Sequence, residues 1–265
     1  MHTKIMSGNT FVHDLKQNKF KKMETIDQKK LEPTFSESYG NGWTVMSKNF
    51  LVLFLVVIIL AVISGPSSST MKFNFNSNDF NWHNGHFNFF SPGFAALGAL
   101  AIIIGIIALA YSLLIVPIFK YGGDLMFVHA ARNMKPEFET LIKGFKENYL
   151  HIVLAHLLTV ALIMLGIVFC IVPGIIIACR LVFVSYLVMD KKLDPIVAVE
   201  ESWKLTKGYS WTIFGMGLAS FFIHIAGLIC CFVGVIPASM WVKSSFASLY
   251  EAILQEKNAQ VNGVE

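Results

Sequence analysis

Arg180 is the residue of this chain best placed to do chemistry. It stands inside an apolar run, VPGIIIACRLVFVSYLVM, seven residues after Pro173. At about 1.5 Å of rise per helical residue it lies roughly 10 Å down its helix, near mid-membrane. An ionisable side chain inside a membrane segment is costly and is a functional candidate by default. Lys243 follows Pro237 by six residues in the last apolar run. Together the two cations form a candidate anion or lipid site. Arg180 would offer a planar fork to phosphate or carboxylate oxygens, and Lys243 a point charge. The structural alternative ties Arg180 to carbonyls, or to hydroxyls such as Ser185 and Ser220, and lets Lys243 snorkel. No carboxylate is expected inside a span to meet either cation.

His156 and His224 also lie in apolar runs. Each reads first as a neutral histidine bonded across helices, and second as a proton carrier. His156 falls nearer the inner side and His224 nearer the outer, which argues against one shared site. His83 and His86 lack a third ligand and make a weak metal site. Cys170, Cys230 and Cys231 fall near outer turns and read as small hydrophobes before they read as a disulfide. The sequence shows no CxxC, phosphate-binding loop, dinucleotide glycine motif or Ser/His/Asp arrangement. We therefore expect no catalytic residue, metal or cofactor.

The elements that must position these residues are membrane helices. The chain has 265 residues, of which 55% are hydrophobic and 14% charged. Its mean hydropathy is +0.60. Soluble domains carry about 25% charged residues, so the deficit points to a bilayer. Lys plus Arg exceed Asp plus Glu by 21 to 17. That excess sits in particular loops and reads as membrane orientation, not as a nucleic-acid footprint. No cleavable signal peptide is visible, so the first span is expected to act as its own insertion signal.

The expected fold is all-α: a polytopic membrane protein of six transmembrane helices, arranged as three hairpins with amphipathic cytoplasmic surface helices. Residues 1–42 form a polar, lysine-rich tail. The six-helix domain covers 43–253, with spans at about 46–64, 93–119, 149–170, 174–189, 210–232 and 234–252. Residues 254–265 form a second tail. Pro117 should kink or end the second span. Between the first two spans, Asn84-Gly85 signals an amphipathic hairpin that pairs Trp82 with Phe87 and Phe80 with Phe89.

Two surface helices are expected on the inner side. One starts at Pro136 and presents Phe138, Leu141, Ile142 and Phe145 as an apolar stripe. The other starts at Asp194-Pro195 and aligns Ile196, Val199 and Trp203, with Glu200 pairing Lys204 and Gly208 ending it. These stripes are candidate partner-docking faces. Gly98, Gly105, Gly166, Gly215, Gly217 and Gly227 read as helix-contact positions.

The tail through Lys48 holds eight lysines, five basic residues lie in 120–148 and four lysines in 190–208. The opposite loops carry only Lys72. The positive-inside rule then places both termini in the cytoplasm. Each hairpin has an aromatic polar entry and a return near a proline, and Tyr186 and Tyr250 each follow a turn proline by 13 residues. Three parallel internal repeats are expected.

The segments FSESYGNGWTVMSKNF, RNMKPEFETLIKGFKENY, VPGIIIACRLVFVSYLVMD and LDPIVAVEESWKLTKGYSW are similar to uncharacterised bacterial six-helix integral-membrane families. These families look like relatives of the membrane domain fused to some glycerophosphodiester phosphodiesterases. The resemblance covers roughly residues 34–253. It implies a six-helix fold in the bacterial inner membrane and no assigned chemistry, and the catalytic domain has no counterpart here. The expected function is a non-enzymatic scaffold or accessory subunit. Its partners would be the bilayer, an anionic lipid, and a membrane protein or a second copy of itself. The alternative is a transporter or lipid/anion-handling protein using Arg180 and Lys243.

Overall fold

The computed structural model describes residues 31–68, 92–147, 149–229, 234–261 and 263. The expected hairpin with His83 and His86, the pair Cys230 and Cys231, and residues 1–30 lie outside that range. All regular structure among the described residues is helical. In order the helices are α1 (Phe35–Lys48), α2 (Phe50–Ser68), α3 (Pro92–Leu114), α4 (Val116–Ala131), α5 (Glu139–Glu147), α6 (Tyr149–Phe169), α7 (Ile171–Arg180), α8 (Val184–Asp190), α9 (Pro195–Leu205), α10 (Ser210–Ile229) and α11 (Val235–Val261).

Four helical runs among the described residues are long and apolar enough to cross a membrane: Ile102–Ala131, Tyr149–Phe169, Ile171–Asp190 and Ser210–Ile229. A fifth is counted when α1 and α2, bent by 98° at Asn49, are taken as one span. The chain is thus an all-helical protein with the makings of a multi-pass membrane protein. The expected sixth span, α11, differs in kind. Its 27 residues include buried Ser244, Ser245 and Ser248 as well as Lys243 and Glu251, which makes it less apolar than the other runs.

Apolar side chains are distributed in two zones. Ile102, Ile106 and Ile107 of α3, Leu150, Met164 and Val168 of α6, Ile171 and Ile176 of α7, and Phe221, Phe222 and Ile229 of α10 are all exposed. So much contiguous apolar surface fits hydrocarbon, not water. The second zone is a buried core where α4 packs on α8 and α11. It contains Met126, Phe127 and Val128 of α4, Leu187 and Val188 of α8, and Leu249, Tyr250 and Ile253 of α11. Helices α1, α5 and α9 wrap this core, packing on α11, α4 and α8 respectively. The run Ile102–Ala131 would be about 45 Å long at 1.5 Å per residue, well over a hydrocarbon thickness of about 30 Å. Its α4 part therefore belongs to the wrapped core.

Proline explains the breaks. Pro117, Pro173, Pro195 and Pro237 all fall in first turns, where no internal N–H bond is lost. The expected kink at Pro117 is the break at Ile115 between α3 and α4. The residues after it are not a loop, as 120–148 was expected to be. They form α4 up to Ala131, and the chain leaves through Asn133 at φ 57°. The helix expected from Pro136 begins at Glu139, because Thr140 and Leu141 first make short i→i+3 bonds to the Glu137 and Phe138 carbonyls.

Helix α1 takes in residues expected to be tail or first span. It is strapped down by long-range bonds. The Tyr39 hydroxyl donates to the Met216 carbonyl at 2.9 Å, Trp241 Nε1 donates to the Tyr39 carbonyl at 3.0 Å, and Asn41 Nδ2 donates to Ser248 Oγ at 3.1 Å. Gly42 makes this approach possible. A Cβ there would stand 2.7 Å from the Ser245 Cα.

Candidate functional site

Two polar constellations stand out. The first joins α4, α8 and α11. Arg132, at the end of α4, makes a bidentate pair with Asp190 of α8, Nη1–Oδ1 at 2.6 Å and Nη2–Oδ2 at 2.8 Å. Its Nε reaches Glu251 Oε2 of α11 at 2.7 Å. The Tyr250 hydroxyl donates to Asp190 Oδ2 at 3.1 Å. The carboxylates are 11% and 7% exposed and the guanidinium 19%, so solvent screens little of this. Burial disfavours the Arg132 charge, but the hydrogen bonds it donates to Asp190 and the field of Glu251 outweigh it, and its pKa is raised. Aromatic rings pack the hub from one side: Tyr186 stacks on Tyr250 at 5.1 Å, and Phe183 lies 5.4 Å from Tyr250.

Lys243 belongs to a neighbouring pair. Its Nζ meets Asp124 Oδ1 of α4 at 2.7 Å and lies 5.7 Å from the Phe127 ring centroid. The expectation that no carboxylate would meet these cations is therefore corrected for Lys243. Asp124 lies beyond the expected end of the second span at about residue 119. It is brought in because the helix resumes at Val116 and continues to Ala131. Glu251 likewise stands on a helix expected to carry no internal acid.

Arg180 is the contrasting case. It ends α7, and the backbone turns through Leu181–Phe183 before α8 begins. The carbonyl of Arg180 is held by α9 and its cap: Ser202 Oγ donates to it at 2.8 Å and Thr206 Oγ1 at 3.3 Å. These bonds hold the Arg180 backbone against the charged helix α9. The guanidinium lies 5.6 Å from the Trp203 ring centroid. Its buried Nε and Nη1 have no hydrogen-bond acceptor. Beside it opens a cavity of about 420 Å³ between α7 and α10, walled by Val172, Ile175, Ile176, Cys179, Trp211 and Phe214, with Ser210 at its edge. Lys243 does not line this cavity, so the two cations expected to share a site occupy separate environments.

His224 bonds across helices. Its Nδ1 faces the Ser220 carbonyl at 2.7 Å and its Nε2 faces Ser239 Oγ of α11 at 3.2 Å. A neutral ring protonated on Nδ1 donates to the Ser220 carbonyl, while the Ser239 hydroxyl also donates to the Val235 carbonyl at 2.8 Å. His156 packs edge-on to Tyr121, centroids 6.3 Å apart. Along α5, Leu141 is buried, whereas Phe138, Ile142 and Phe145 stay exposed, Phe145 lying against Phe119 and Tyr149. On α9 the buried face is Ala198, Ser202 and Leu205, Val199 is half-buried, and Ile196 and Trp203 point outward. Asp194 occupies the expected cap position without a capping bond, its carboxylate being 2.9 Å from His151 Nε2. Glu200 and Lys204 meet at 4.0 Å, and Gly208 takes φ 98° beyond the helix end.

Among the expected contact glycines, Gly166 and Gly227 are tight: a Cβ would meet Gly174 Cα at 3.0 Å and the Gly234 carbonyl oxygen at 2.7 Å. Gly105 and Gly217 face open space, and Gly215 has ordinary room. Cys170 and Cys179 are free thiols. No group of three or more His, Cys, Asp or Glu able to hold a metal occurs among the described residues. Sequence reasoning missed Arg132, Asp190, Asp124 and Glu251 as a set. The available signal was an acidic residue abutting an apolar run, as in GGDLMF, LVMDKK and LYEAIL.

No family model, curated protein or solved structure matches the chain.

Proposed function

We propose that this is a six-span protein of a bacterial cytoplasmic membrane, with both termini in the cytoplasm, serving as a non-enzymatic scaffold or accessory subunit. The lysine distribution supports the orientation, since basic residues crowd the loops beside α1, α5 and α9. The α1–α2 pair and α11 complete the three hairpins begun by the four long apolar runs.

The observation that carries the reading is the Arg132–Asp190–Glu251 hub with its neighbour Lys243–Asp124. It bolts α4, α8 and α11 into one rigid block and uses the charges of that block on one another. Around the same block, α5 and α9 turn Phe138, Ile142, Ile196 and Trp203 outward. A stiff core that presents apolar residues on charged helices is suited to holding a membrane-protein partner or a second copy of the chain.

The test is gentle extraction of the full chain into native-lipid discs, followed by mass measurement, beside an Ile142→Asp/Ile196→Asp variant. The expected result is a stoichiometric protein companion that the variant loses while its helicity and thermal midpoint stay unchanged. A monomer in both cases would overturn the scaffold reading.

A further inference from the structure

We infer that the cavity beside Arg180 is a binding site for one anionic membrane lipid, whose phosphodiester headgroup the guanidinium grips. This inference stands apart from the scaffold reading and needs no protein partner. Three observations carry it. First, Arg180 holds a permanent charge whose buried Nε and Nη1 meet no acceptor in the protein. Unpaired buried donors on a charged group are costly, and a swing of the guanidinium into the cavity that sets them on a bound oxyanion removes the cost with a two-point, charge-assisted grip. The other inner cations show the contrast, since Arg132 and Lys243 each have carboxylates at 2.6–2.7 Å.

Second, the cavity is built for an amphiphile. One end is Arg180 with the Ser210 side chain, and the walls are Val172, Ile175, Ile176 and Phe214. No carboxylate lines it. A small inorganic anion would leave these apolar walls without contacts, whereas a lipid uses both ends. At about 30 Å³ per water-sized group, 420 Å³ holds roughly fourteen such groups. That suits one headgroup and the start of its chains, with the tails running out over exposed Val172, Ile175 and Ile176.

Third, the depth that the proposed topology gives the site fits. The Arg180 carbonyl is held by Ser202 and Thr206 of the charged helix α9, and Trp203 and Trp211 flank the site. Tryptophan and arginine at the level of a charged surface helix belong to the headgroup zone, where anionic lipids concentrate. One uncompensated positive charge matches a lipid of net charge −1.

The test uses the full chain in neutral detergent, titrated with dioleoylphosphatidylglycerol and read by native mass spectrometry. Alkylation of Cys179, a wall residue, is followed in parallel in a variant whose other three cysteines are serine. Wild type should retain one phosphatidylglycerol in preference to phosphatidylcholine, with Cys179 protected. Arg180→Met should weaken retention at least tenfold and Arg180→Lys by less. Lys204→Met removes an exposed cation of α9 and should leave retention unchanged. Ile176→Trp fills the cavity while keeping Arg180, and should abolish both retention and protection. It keeps the test decisive should Arg180→Met fail to fold. Equal retention in Arg180→Met or Ile176→Trp would overturn the site. An equal loss in Lys204→Met would reduce it to diffuse surface attraction. Competition by millimolar inorganic phosphate or glycerophosphate, with no need for acyl chains, would make it a free-anion site and overturn the lipid assignment.

Discussion

Replacing Arg132 with Met should be among the most damaging single changes to this protein. The side chain joins α4 to both α8 and α11 through three contacts of 2.6–2.8 Å, and its partners are 11% and 7% exposed. At an effective dielectric near 20, each charge pair at about 4 Å between centres gains roughly 4 kcal/mol. Desolvation of three charges cancels much of the sum. Removing the one cation does not return that cost, however, because Asp190 and Glu251 stay buried as two uncompensated anions. Breaking buried pairs in this way costs about 3–5 kcal/mol. The assay is reversible unfolding in mixed micelles, with helicity followed against denaturant fraction. Arg132→Met should lose about 3–5 kcal/mol, a hundred- to several-thousand-fold change in the folded ratio. Arg132→Met/Asp190→Asn/Glu251→Gln should recover most of it, since no charge is then stranded. A cost under about 1 kcal/mol, the level of an exposed pair, would refute the claim that the hub is desolvated. So would a triple variant no better than the single.

Lys243→Met should strand Asp124, which is buried beside Phe127, and cost about 2–4 kcal/mol, with Lys243→Met/Asp124→Asn largely restoring stability in the same unfolding assay. Gly122→Ala should lower the thermal midpoint sharply, because its Cβ would stand 2.6 Å from the Leu141 carbonyl oxygen; Gly105→Ala, facing open space, should be neutral or slightly stabilising. Tyr209 has its pKa raised to about 12, first by burial and then by its bond to Glu256. The folded state thus keeps a proton that the unfolded chain loses near pH 10. The contribution is whole below pH 10 and fades as pH rises to about 12, so Tyr209→Phe should flatten that part of a stability–pH curve. Membrane-impermeant thiol reagents in intact cells should label single cysteines placed at positions 192 and 263 only after permeabilisation; labelling before it would overturn the proposed orientation.

The sequence by itself determined where the apolar runs lie, that they are helices, and where prolines break them. These are local properties: a bilayer accepts only segments that satisfy their own backbone, and a proline costs no internal bond in a first turn. Hence α6, α7 to α8 and α10 match the expected spans within a few residues, and the Pro117 break falls where the residue requires it. Tertiary structure decided the partners. Arg132 and Glu251 are 119 residues apart, Arg132 and Asp190 58, and Asp124 and Lys243 119. No periodicity links positions so distant. Packing also made α4 a core helix where a charged loop was expected, and seated α1 on α11 through Gly42, a residue that weakens the helical signal in the sequence. Arg180 shows the division most clearly. An arginine in an apolar run is visible at once, but its level beside α9, its unshared donors and the cavity it faces arise only when α7, α9 and α10 come together.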